Sequence, residues 1–271
     1  MRRGRVVCEG VLHAATEQDG NVRLDDGRVI SDSAVRWLPP FVPRTIFALG
    51  LNYADHAREL SFKAPTEPLV FLKGPNALCG HRGQTRRPAD VTFMHYECEL
   101  AVVVGPRAHG GRGGGRGGAR GGARGGARSV SREQAWDMVA GYTVANDYAF
   151  RDYLENYYRP NLRVKSRDSA TPIGPWLVDA ADVADPMNLR IRTTVNGVAT
   201  QDGTTRDMIF DIPDVIAFLS EFMTLQPGDV ILTGTPEGLV DVRPGDEVVT
   251  EIEGIGRLMN TVVADEETQE R

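Results

Sequence analysis

β-Branched and aromatic side chains dominate residues 94–104, which predicts a β-strand that ends at Gly105-Pro106. Successive side chains of a strand point to opposite faces, so Glu97 and Glu99 are expected on the same face. Apolar residues dominate both faces, so both are expected to be covered. Two unpaired carboxylates in such a place would repel each other and lose hydration. A divalent cation would relieve both costs; the alternative is an exposed edge strand whose acids are solvated.

The rest of the hydrophobic pattern predicts short strands joined by turns, with few helices. Further strands are predicted at residues 5–12, 21–24, 28–30, 45–51, 69–75, 141–148 and 189–196. Short helices are predicted from Asp55 onward, over 131–140 with a Ser131–Gln134 capping box, over 151–160, and over 211–223. Residues 171–175 are expected to turn the chain. Because strands outnumber helices, the pattern predicts a β-rich α+β fold.

A domain boundary is expected near residue 43. Residues 1–43 contain strand candidates and a turn but nothing that suggests chemistry, so we expect a small β-rich segment there. Pro39-Pro40 and Pro43 mark its end, and the main domain is expected to cover residues 44–271. A chain of 271 residues is long enough for one large domain with such an appendage.

Bulk composition indicates a globular protein of the cytoplasm. Hydrophobic residues make up 41% of the chain and charged residues 25%, which is ordinary for a soluble domain. No apolar run approaches the roughly 20 residues that span a bilayer, and residues 1–9 lack an apolar core of signal-peptide length. The three cysteines are widely spaced and odd in number, which suggests neither a disulfide framework nor a thiolate zinc site.

An arginine- and glycine-rich tract interrupts an otherwise acidic chain. Residues 109–128 contain an Arg-Gly-Gly-Ala repeat that cannot bury a core, so we expect a disordered insertion at a loop tip. Without the six arginines of residues 107–128, the 25 basic residues that remain face 37 acidic ones, a net charge of −12. This balance does not favour attraction of the folded part to nucleic acid. Arg-Gly-Gly tracts can bind RNA, so an RNA-associating protein is the hypothesis of another class.

Two further groups of residues are candidates for chemistry. His56 and Glu59 would share a helix face, where the carboxylate can fix the tautomer of the imidazole for proton transfer; a surface salt bridge is the alternative. Arginines and one lysine cluster at residues 151–167, where they could recognise several carboxylates or form a solvated basic face. The tight loop at residues 232–238 could offer backbone N–H groups and Thr235 to an anionic oxygen.

Seven ordered motifs across residues 45–263 resemble the fumarylacetoacetate hydrolase family. They are Asn52-Tyr53-Ala54-Asp55-His56, Phe71-Leu72-Lys73, Tyr96-Glu97-Cys98-Glu99-Leu100, residues 141–147, Lys165-Ser166-Arg167-Asp168, Thr233-Gly234-Thr235-Pro236 and residues 251–256. Within the family, the run 146–168 is similar to the branch that acts in 4-hydroxyphenylacetate (homoprotocatechuate) breakdown. That branch decarboxylates 5-oxopent-3-ene-1,2,5-tricarboxylate and isomerises 2-hydroxyhepta-2,4-diene-1,7-dioate. The insertion at 109–128 departs from the family pattern and must loop outward for the motifs to meet.

The resemblance implies a fold, a cofactor and roles for particular residues. The fold would be a mixed β-sandwich roll with short helices, usually assembled as a homodimer, here with the further option of a paired homologous subunit. Mg²⁺ or Mn²⁺ would bind Glu97, Glu99 and Asp147, in agreement with the preference of these ions for carboxylate oxygens. Catalytic roles would fall to His56, Glu59 and Lys165, and contacts with a small polycarboxylate 2-oxoacid to Arg151, Arg159, Arg167 and Thr235.

Two related activities need the same chelation of a 2-oxoacid. An acylpyruvate hydrolase and a 2-oxoacid (oxaloacetate-type) decarboxylase would both use this metal triad, so the triad does not separate them from the decarboxylase/isomerase. The cation-rich stretch at residues 151–167 favours a substrate with several carboxylates.

Overall fold

The computed structural model describes residues 1–106, 126–154 and 161–265. The strands within these ranges are β1 (Arg2–Cys8), β2 (Val11–Gln18), β3 (Asn21–Leu24), β4 (Val29–Ile30), β5 (Arg36–Leu38), β6 (Ile46–Gly50), β7 (Leu69–Lys73), β8 (Leu78–Cys79), β9 (Gly83–Arg87), β10 (Met94–His95), β11 (Cys98–Val104), β12 (Val139–Asn146), β13 (Ala149–Phe150), β14 (Thr171–Asp179), β15 (Arg190–Val195), β16 (Val198–Thr204), β17 (Val230–Leu232), β18 (Glu247–Ile252) and β19 (Gly256–Ala264).

Helices are few and short. The α-helices are α1 (Ala54–Glu59), α2 (Leu162–Lys165) and α3 (Ile212–Phe222). The 3₁₀ segments are Asp32–Ala34, Pro75–Ala77, Arg132–Met138, Arg151–Tyr153, Ala180–Asp182 and Thr205–Asp207. Helix α3 begins with N-terminal capping residues: Asp211 and Asp214 form a capping box, and Pro213 lies in the first turn. None of the helices in the described ranges combines the length and apolar character needed to cross a membrane.

Two mixed sheets form the body of the molecule. The larger one has the strand order β4-β3-β2-β1-β14-β12-β11-β17-β6-β7, with β5 and β8 paired beside it. The smaller one has the order β16-β15-β18-β19-β9. Most neighbours are antiparallel, whereas β17 with β6 and β19 with β9 are parallel. Strands β14 and β8 are parallel as well. The α-helices lie in the connections between strands: α1 follows β6, α2 precedes β14, and α3 lies between β16 and β17.

Strand β11 lies near the middle of the large sheet, between β12 and β17, and all of its residues are buried. Cys98, Leu100 and Val102 on one face pack into the main core with residues of the smaller sheet and of α3. Ala101 on the other face belongs to a separate apolar cluster. Glu99 shares the face of Ala101, so its carboxylate emerges on the side opposite the main core. The prediction that both faces of this strand are covered is therefore confirmed.

Two predicted strands are interrupted. The single strand predicted over residues 5–12 is a hairpin, because the chain reverses between β1 and β2 at Glu9 and Gly10, whose φ angles are 51° and 81°. The strand predicted over 94–104 is divided into β10, which pairs with β13, and β11, which pairs with β12. The chain leaves the sheet between these strands, where the Glu97 N–H donates to Asn146 Oδ1 at 2.9 Å.

The helix predicted over residues 131–140 is wrong in type and extent. Residues Arg132–Met138 form a 3₁₀ segment, and the Ser131 hydroxyl donates to Glu133 instead of capping the helix. Val139 already pairs with Val104 as the first residue of β12, so strand pairing ends the helix early. Trp136, predicted on the apolar stripe, is 40% exposed. Pairing with β11 therefore stabilises the strand more than the helical spacing of the apolar residues stabilises a helix.

The turn predicted at residues 171–175 is also wrong. Residues Thr171–Asp179 form strand β14, which lies between β1 and β12 in the large sheet. The sequence Thr-Pro-Ile-Gly-Pro suggested a turn because proline lacks a donor and glycine bends easily. Ile173 and Gly174 nevertheless pair with Ala145 and Val144, since the neighbouring strands on both sides supply the remaining ladder bonds.

The proposed division at residue 43 stays a prediction. Strand β1 is hydrogen-bonded to β14 at Arg2 and Arg3, so the N-terminal strands continue the large sheet. Most of the insertion predicted at 109–128 lies outside the described residues, and with it the predicted disorder and the RNA-binding hypothesis. Its last residues are described: the Ala127 N–H donates to the Leu225 carbonyl at 2.8 Å. The helix predicted at 151–160 is described only at its start, as the 3₁₀ segment Arg151–Tyr153.

Candidate metal centre and substrate cleft

Strand pairing brings three carboxylates together. Glu99 lies on β11, Glu97 directly precedes that strand, and Asp147 directly follows β12. The register of β11 and β12 pairs Cys98 with Asn146, which places the ends of the two strands side by side. The Asp147 N–H then donates to the Glu97 carbonyl at 2.8 Å. One carboxylate oxygen from each of the three acids lies within 4.8 Å of the other two, and all three residues are buried.

Glu99 is the most isolated of these acids. It is fully buried; Oε2 accepts from the Gly234 N–H at 2.6 Å, and Oε1 has no hydrogen-bond partner among the described residues. Burial raises the pKa of Glu99 well above its usual range, and the negative charges of Asp147 and Glu97 raise it further. A cation bound at this point would reverse the repulsion.

Two buried lysines partly neutralise the acids. Lys165 Nζ lies 2.6 Å from Glu97 Oε2 and 2.9 Å from Asp147 Oδ2. Lys73 Nζ donates to Asp147 Oδ1 and to the carbonyl of Lys165. Burial by itself raises the pKa of Glu97, but Lys165 together with the charges of His56 and Arg151 outweighs it, and the pKa lies below its usual value. The sequence contains only three lysines, and two of them are used here.

The cluster fits a divalent cation. The two ammonium groups pair with Asp147 and Glu97, and the Arg151 guanidinium also lies 3.9 Å from Glu97. Among the described residues no cation pairs with Glu99. The donor atoms are hard carboxylate oxygens with neither thiolate nor imidazole in the triad, the set preferred by Mg²⁺ and Mn²⁺. The unpaired Glu99 Oε1 adds a buried acceptor that a cation would satisfy. The triad could therefore hold a metal ion.

A cleft opens beside the triad, and half of the predicted site residues line it. Its polar walls come from His56, Glu97, Arg151, Lys165 and Thr235. Its apolar walls include Leu49, Leu60, Phe62, Val70, Phe71 and Val164. Residues from distant parts of the chain thus meet around one space lined by both polar and apolar side chains, an arrangement typical of small-molecule sites.

Helix α1 carries the predicted acid/base pair to this cleft. His56 Nδ1 lies 3.2 Å from Glu59 Oε2, as the three-residue spacing predicts. The other oxygen of Glu59 accepts from the backbone N–H groups of Gly238 and Leu239 at 3.0 and 2.9 Å. The Glu59 carboxylate therefore joins α1 to the loop after β17, and His56 is held between them, almost fully buried.

Arg151 is held by a residue that sequence reasoning left without a role. Its Nε donates to His95 Nε2 at 2.7 Å, while Nη2 lies 3.9 Å from Glu97 Oε1. Burial lowers the pKa of His95 well below its usual value, and the charges of Arg151 and Lys165 lower it further. A neutral imidazole with a lone pair on Nε2 is the form that can accept from a guanidinium.

The predicted substrate-binding residue Arg167 is not among the residues that line the cleft. Arg167 Nη2 lies 3.1 Å from Asp265 Oδ2, and the guanidinium stacks near Phe150 and Tyr153. Its role in substrate binding stays a prediction that this placement does not support. Arg159 lies outside the described residues, so its predicted role is untested as well.

Sequence reasoning assigned no function to three residues that the structure places around the site: Lys73, His95 and Gln201. Lys73 had a local signal, since a charge at the end of the apolar run Leu69–Lys73 is unusual unless it is paired. Gln201 had none, because its neighbours in the sequence suggest an ordinary exposed strand. The contacts of Gln201 exist only through the fold.

Comparison with known proteins agrees with this site. The model of the family described as fumarylacetoacetate (FAA) hydrolase C-terminal matches residues 45–112 and 122–263. The 4-hydroxyphenylacetate degradation bifunctional isomerase/decarboxylase of Salmonella dublin is 60% identical over 222 residues, which cover 82% of this chain and 47% of that protein. The chain thus spans about half the length of this relative.

Solved structures show the same fold. A 5-carboxymethyl-2-hydroxymuconate delta-isomerase from Mycobacterium smegmatis superposes with a TM-score of 0.80 at 35% identity, covering 98% of this chain and 99% of that one. A fumarylpyruvate hydrolase from Pseudomonas aeruginosa, solved in complex with Mn²⁺ and pyruvate, superposes with a TM-score of 0.70 at 30% identity, covering 85% of this chain and 92% of that one. The predicted β-rich α+β roll is confirmed. The chain belongs to the fumarylacetoacetate hydrolase family.

Proposed function

We propose that this protein is a divalent-metal-dependent enzyme of 4-hydroxyphenylacetate breakdown. It would decarboxylate 5-oxopent-3-ene-1,2,5-tricarboxylate, isomerise 2-hydroxyhepta-2,4-diene-1,7-dioate, or catalyse both reactions. The observation that carries the proposal is the cleft beside the carboxylate triad, which Glu97 lines together with His56, Arg151, Lys165 and Thr235. The 60% identity to a bifunctional isomerase/decarboxylase supports the choice of substrate.

In this proposal Glu97, Glu99 and Asp147 hold Mg²⁺ or Mn²⁺. The bound ion supplies Lewis-acid polarisation of the 2-oxoacid. The Mn²⁺ and pyruvate in the Pseudomonas aeruginosa structure support an oxoacid beside a divalent ion in this fold. Donor chemistry alone does not choose between Mg²⁺ and Mn²⁺, so the resident ion is to be identified by metal analysis of the purified protein.

The cleft side chains would bind the substrate and move its protons. Lys165 and Arg151 are cationic donors at the wall nearest the triad, suited to negative charge that develops on substrate oxygens. Thr235 would donate to a carboxylate of the substrate from the opposite loop. Glu59 holds Nδ1 of His56, which leaves Nε2 as the ring nitrogen to exchange a proton with a substrate carbon during the double-bond shift.

An acylpyruvate hydrolase is the second candidate. The specific observation that favours it is the structural similarity to fumarylpyruvate hydrolase, which extends over 85% of this chain. A side-by-side assay decides between the two. Purified protein with Mg²⁺ or Mn²⁺ receives the tricarboxylate, the heptadienedioate and a small acylpyruvate, and CO₂ release and loss of substrate absorbance are followed. Higher kcat/KM for the acylpyruvate would remove the decarboxylase/isomerase proposal.

The ligand assignment has its own test. Glu97→Ala should abolish metal-dependent turnover, because a triad with one carboxylate removed binds the ion more weakly. Glu221→Ala, which removes an exposed glutamate at the end of α3, is the matched control and should retain the activity. Full metal-dependent activity in Glu97→Ala would show that the ligand assignment is wrong.

We further propose a homodimer in the cytoplasm, with a paired homologous subunit as the alternative assembly. The relative from Salmonella dublin is about twice as long as this chain, which supports a division of its two activities between homologous units. Three free cysteines that are far from one another in the sequence suit a reducing compartment. Light scattering on the purified protein distinguishes a homodimer from a monomer that requires a second chain.

A further inference from the structure

The side chain of Gln201 joins strand β16 to the loop that carries Thr235. It is 1% exposed. Its Nε2 donates to the Pro236 carbonyl at 2.8 Å, and its Oε1 accepts from the Thr193 hydroxyl at 2.8 Å. The Cys98 N–H approaches the same Oε1 at 3.5 Å. A carbonyl can only accept and a backbone N–H can only donate, so these contacts determine which end of the amide is which.

This orientation decides the state of the Thr235 hydroxyl. The second N–H of Gln201 Nε2 lies 2.9 Å from Thr235 Oγ1, and an amide nitrogen can only donate. The hydroxyl oxygen of Thr235 is therefore an acceptor in this bond, and its single hydrogen remains for another acceptor. Among the described residues the hydroxyl makes no further hydrogen bond, and Thr235 lines the cleft with Arg151 and Lys165.

We propose that Gln201 is a positioning residue that orients the Thr235 hydroxyl so that its hydrogen is donated toward the cleft. The subsite beside Thr235 then selects a group with acceptor oxygens only, that is, an ionised carboxylate, over a neutral group that carries N–H. The inference rests on the proposed function, in which Thr235 meets a carboxylate of the substrate. It deepens that function, because it names the residue that gives this subsite its polarity.

The selectivity follows from hydrogen-bond balance. A carboxylate meets a hydroxyl hydrogen on one side and the cations of Arg151 and Lys165 on the other, so each of its oxygens finds a donor. A carboxamide in the same place turns an N–H toward these donors and leaves it unpaired in a buried site. Without the bond from Gln201, the hydroxyl could turn its hydrogen away from the cleft, and the preference for the carboxylate would shrink.

Binding of pyruvate and of pyruvamide to the Mn²⁺-loaded protein tests the inference by calorimetry. Gln201→Met removes the donor and retains an unbranched side chain of similar length. It should weaken pyruvate binding by roughly tenfold, as expected for a hydrogen bond to a charged group, and should reduce the preference for pyruvate over pyruvamide. Thr235→Val should have the same effects. Thr235→Ser, which retains the hydroxyl, should keep the pyruvate affinity and the preference of wild type. Adding Gln201→Met to Thr235→Val should change neither measurement further.

The outcomes separate the inference from the function on which it rests. Unchanged pyruvate affinity in Thr235→Val removes the proposed contact between Thr235 and the carboxylate. Two outcomes would overturn the role of Gln201 alone. One is pyruvate binding that is weakened in Thr235→Val but unchanged in Gln201→Met; the other is losses of affinity that are fully additive in the double variant. The Mn²⁺ affinity of Gln201→Met should equal that of wild type; a parallel loss of Mn²⁺ affinity would show that Gln201 acts through Cys98 and the triad, and would also overturn the proposal.

Discussion

Replacing Lys73 with methionine should destabilise the metal-free protein more than any change at an exposed lysine. The side chain of Lys73 is fully buried, and its ammonium group contacts Asp147 and the carbonyl of Lys165. Methionine retains the aliphatic stem and removes only the charge and its hydrogen bonds. Lys63→Met is the matched control, because Lys63 is exposed and lies outside the cluster.

The magnitude follows from the charges that remain. Burial lowers the pKa of Lys73, and the charge of Asp147 counteracts this effect. The ion pair with Asp147 therefore stabilises the buried ammonium group. Without it, three buried carboxylates face Lys165 and the more distant guanidinium of Arg151, which lies 3.9 Å from Glu97. Removing one partner of a buried pair typically costs about 3–5 kcal/mol of unfolding free energy. For a domain of this size the melting temperature should fall on the order of 10 °C, whereas Lys63→Met should change stability by less than about 0.5 kcal/mol.

Thermal denaturation with EDTA and then with saturating Mn²⁺ checks both parts of this reasoning. Because the variant lacks a cation that repels the metal ion, Mn²⁺ should raise its melting temperature more than that of wild type, and the gap between them should narrow. Equal melting temperatures of Lys73→Met and Lys63→Met in EDTA would refute the view that Lys73 compensates the acids. If Mn²⁺ left the difference in melting temperature between Lys73→Met and wild type unchanged, the view that the metal ion neutralises the same carboxylates as Lys73 would be refuted.

Two further predictions concern the acid cluster and the loop beside it. Burial and then the neighbouring carboxylates raise the pKa of Glu99, so the stability that it contributes is present below its unfolded pKa and is lost as the pH rises through its folded pKa. In EDTA, Glu99→Gln should therefore be more stable than wild type at neutral pH and similar at acidic pH in urea denaturation; equal stability at both would contradict the shift. Gly234→Ala should lose about 1–3 kcal/mol in the same assay, because its φ is +89° and an added Cβ would lie 2.9 Å from Asn52 Cβ. Gly245→Ala shares a positive φ of 101° but has open space around the added carbon, so a smaller loss there isolates the steric part, and equal losses would contradict it.

Some features of the site could be predicted because they depend on local geometry. The two-residue spacing brought the carboxylates of Glu97 and Glu99 together, although Glu97 lies just before β11. A three-residue helical spacing paired His56 with Glu59. Both rules hold within a few residues of chain and need no knowledge of what lies across the fold. The Asn196-Gly197 turn between β15 and β16 belongs to the same class, since positive φ angles of 50° and 79° suit these residue types.

Other local signals failed where strand pairing overrode them. Residues 131–140 have helical spacing and residues 171–175 have turn composition, yet β12 and β14 extend into both segments. Pairing with a neighbouring strand satisfies backbone groups along the whole segment, which outweighs weak local preferences. The predicted substrate contact of Arg167 lacks support for another reason. Arg167 lies two residues from Lys165 in the sequence, but it pairs with Asp265 instead of facing the cleft.

The sequence by itself determined which groups could do chemistry: two glutamates spaced two residues apart, a histidine three residues before a glutamate, and a family pattern that contains both pairs. Only the tertiary structure decided which groups meet and in what electrostatic state. Lys73 reaches Asp147 across 74 residues, and Gln201 reaches Thr235 across 34. Such contacts depend on strand order and register, which sum weak preferences over the whole chain, so no short stretch of sequence contains them.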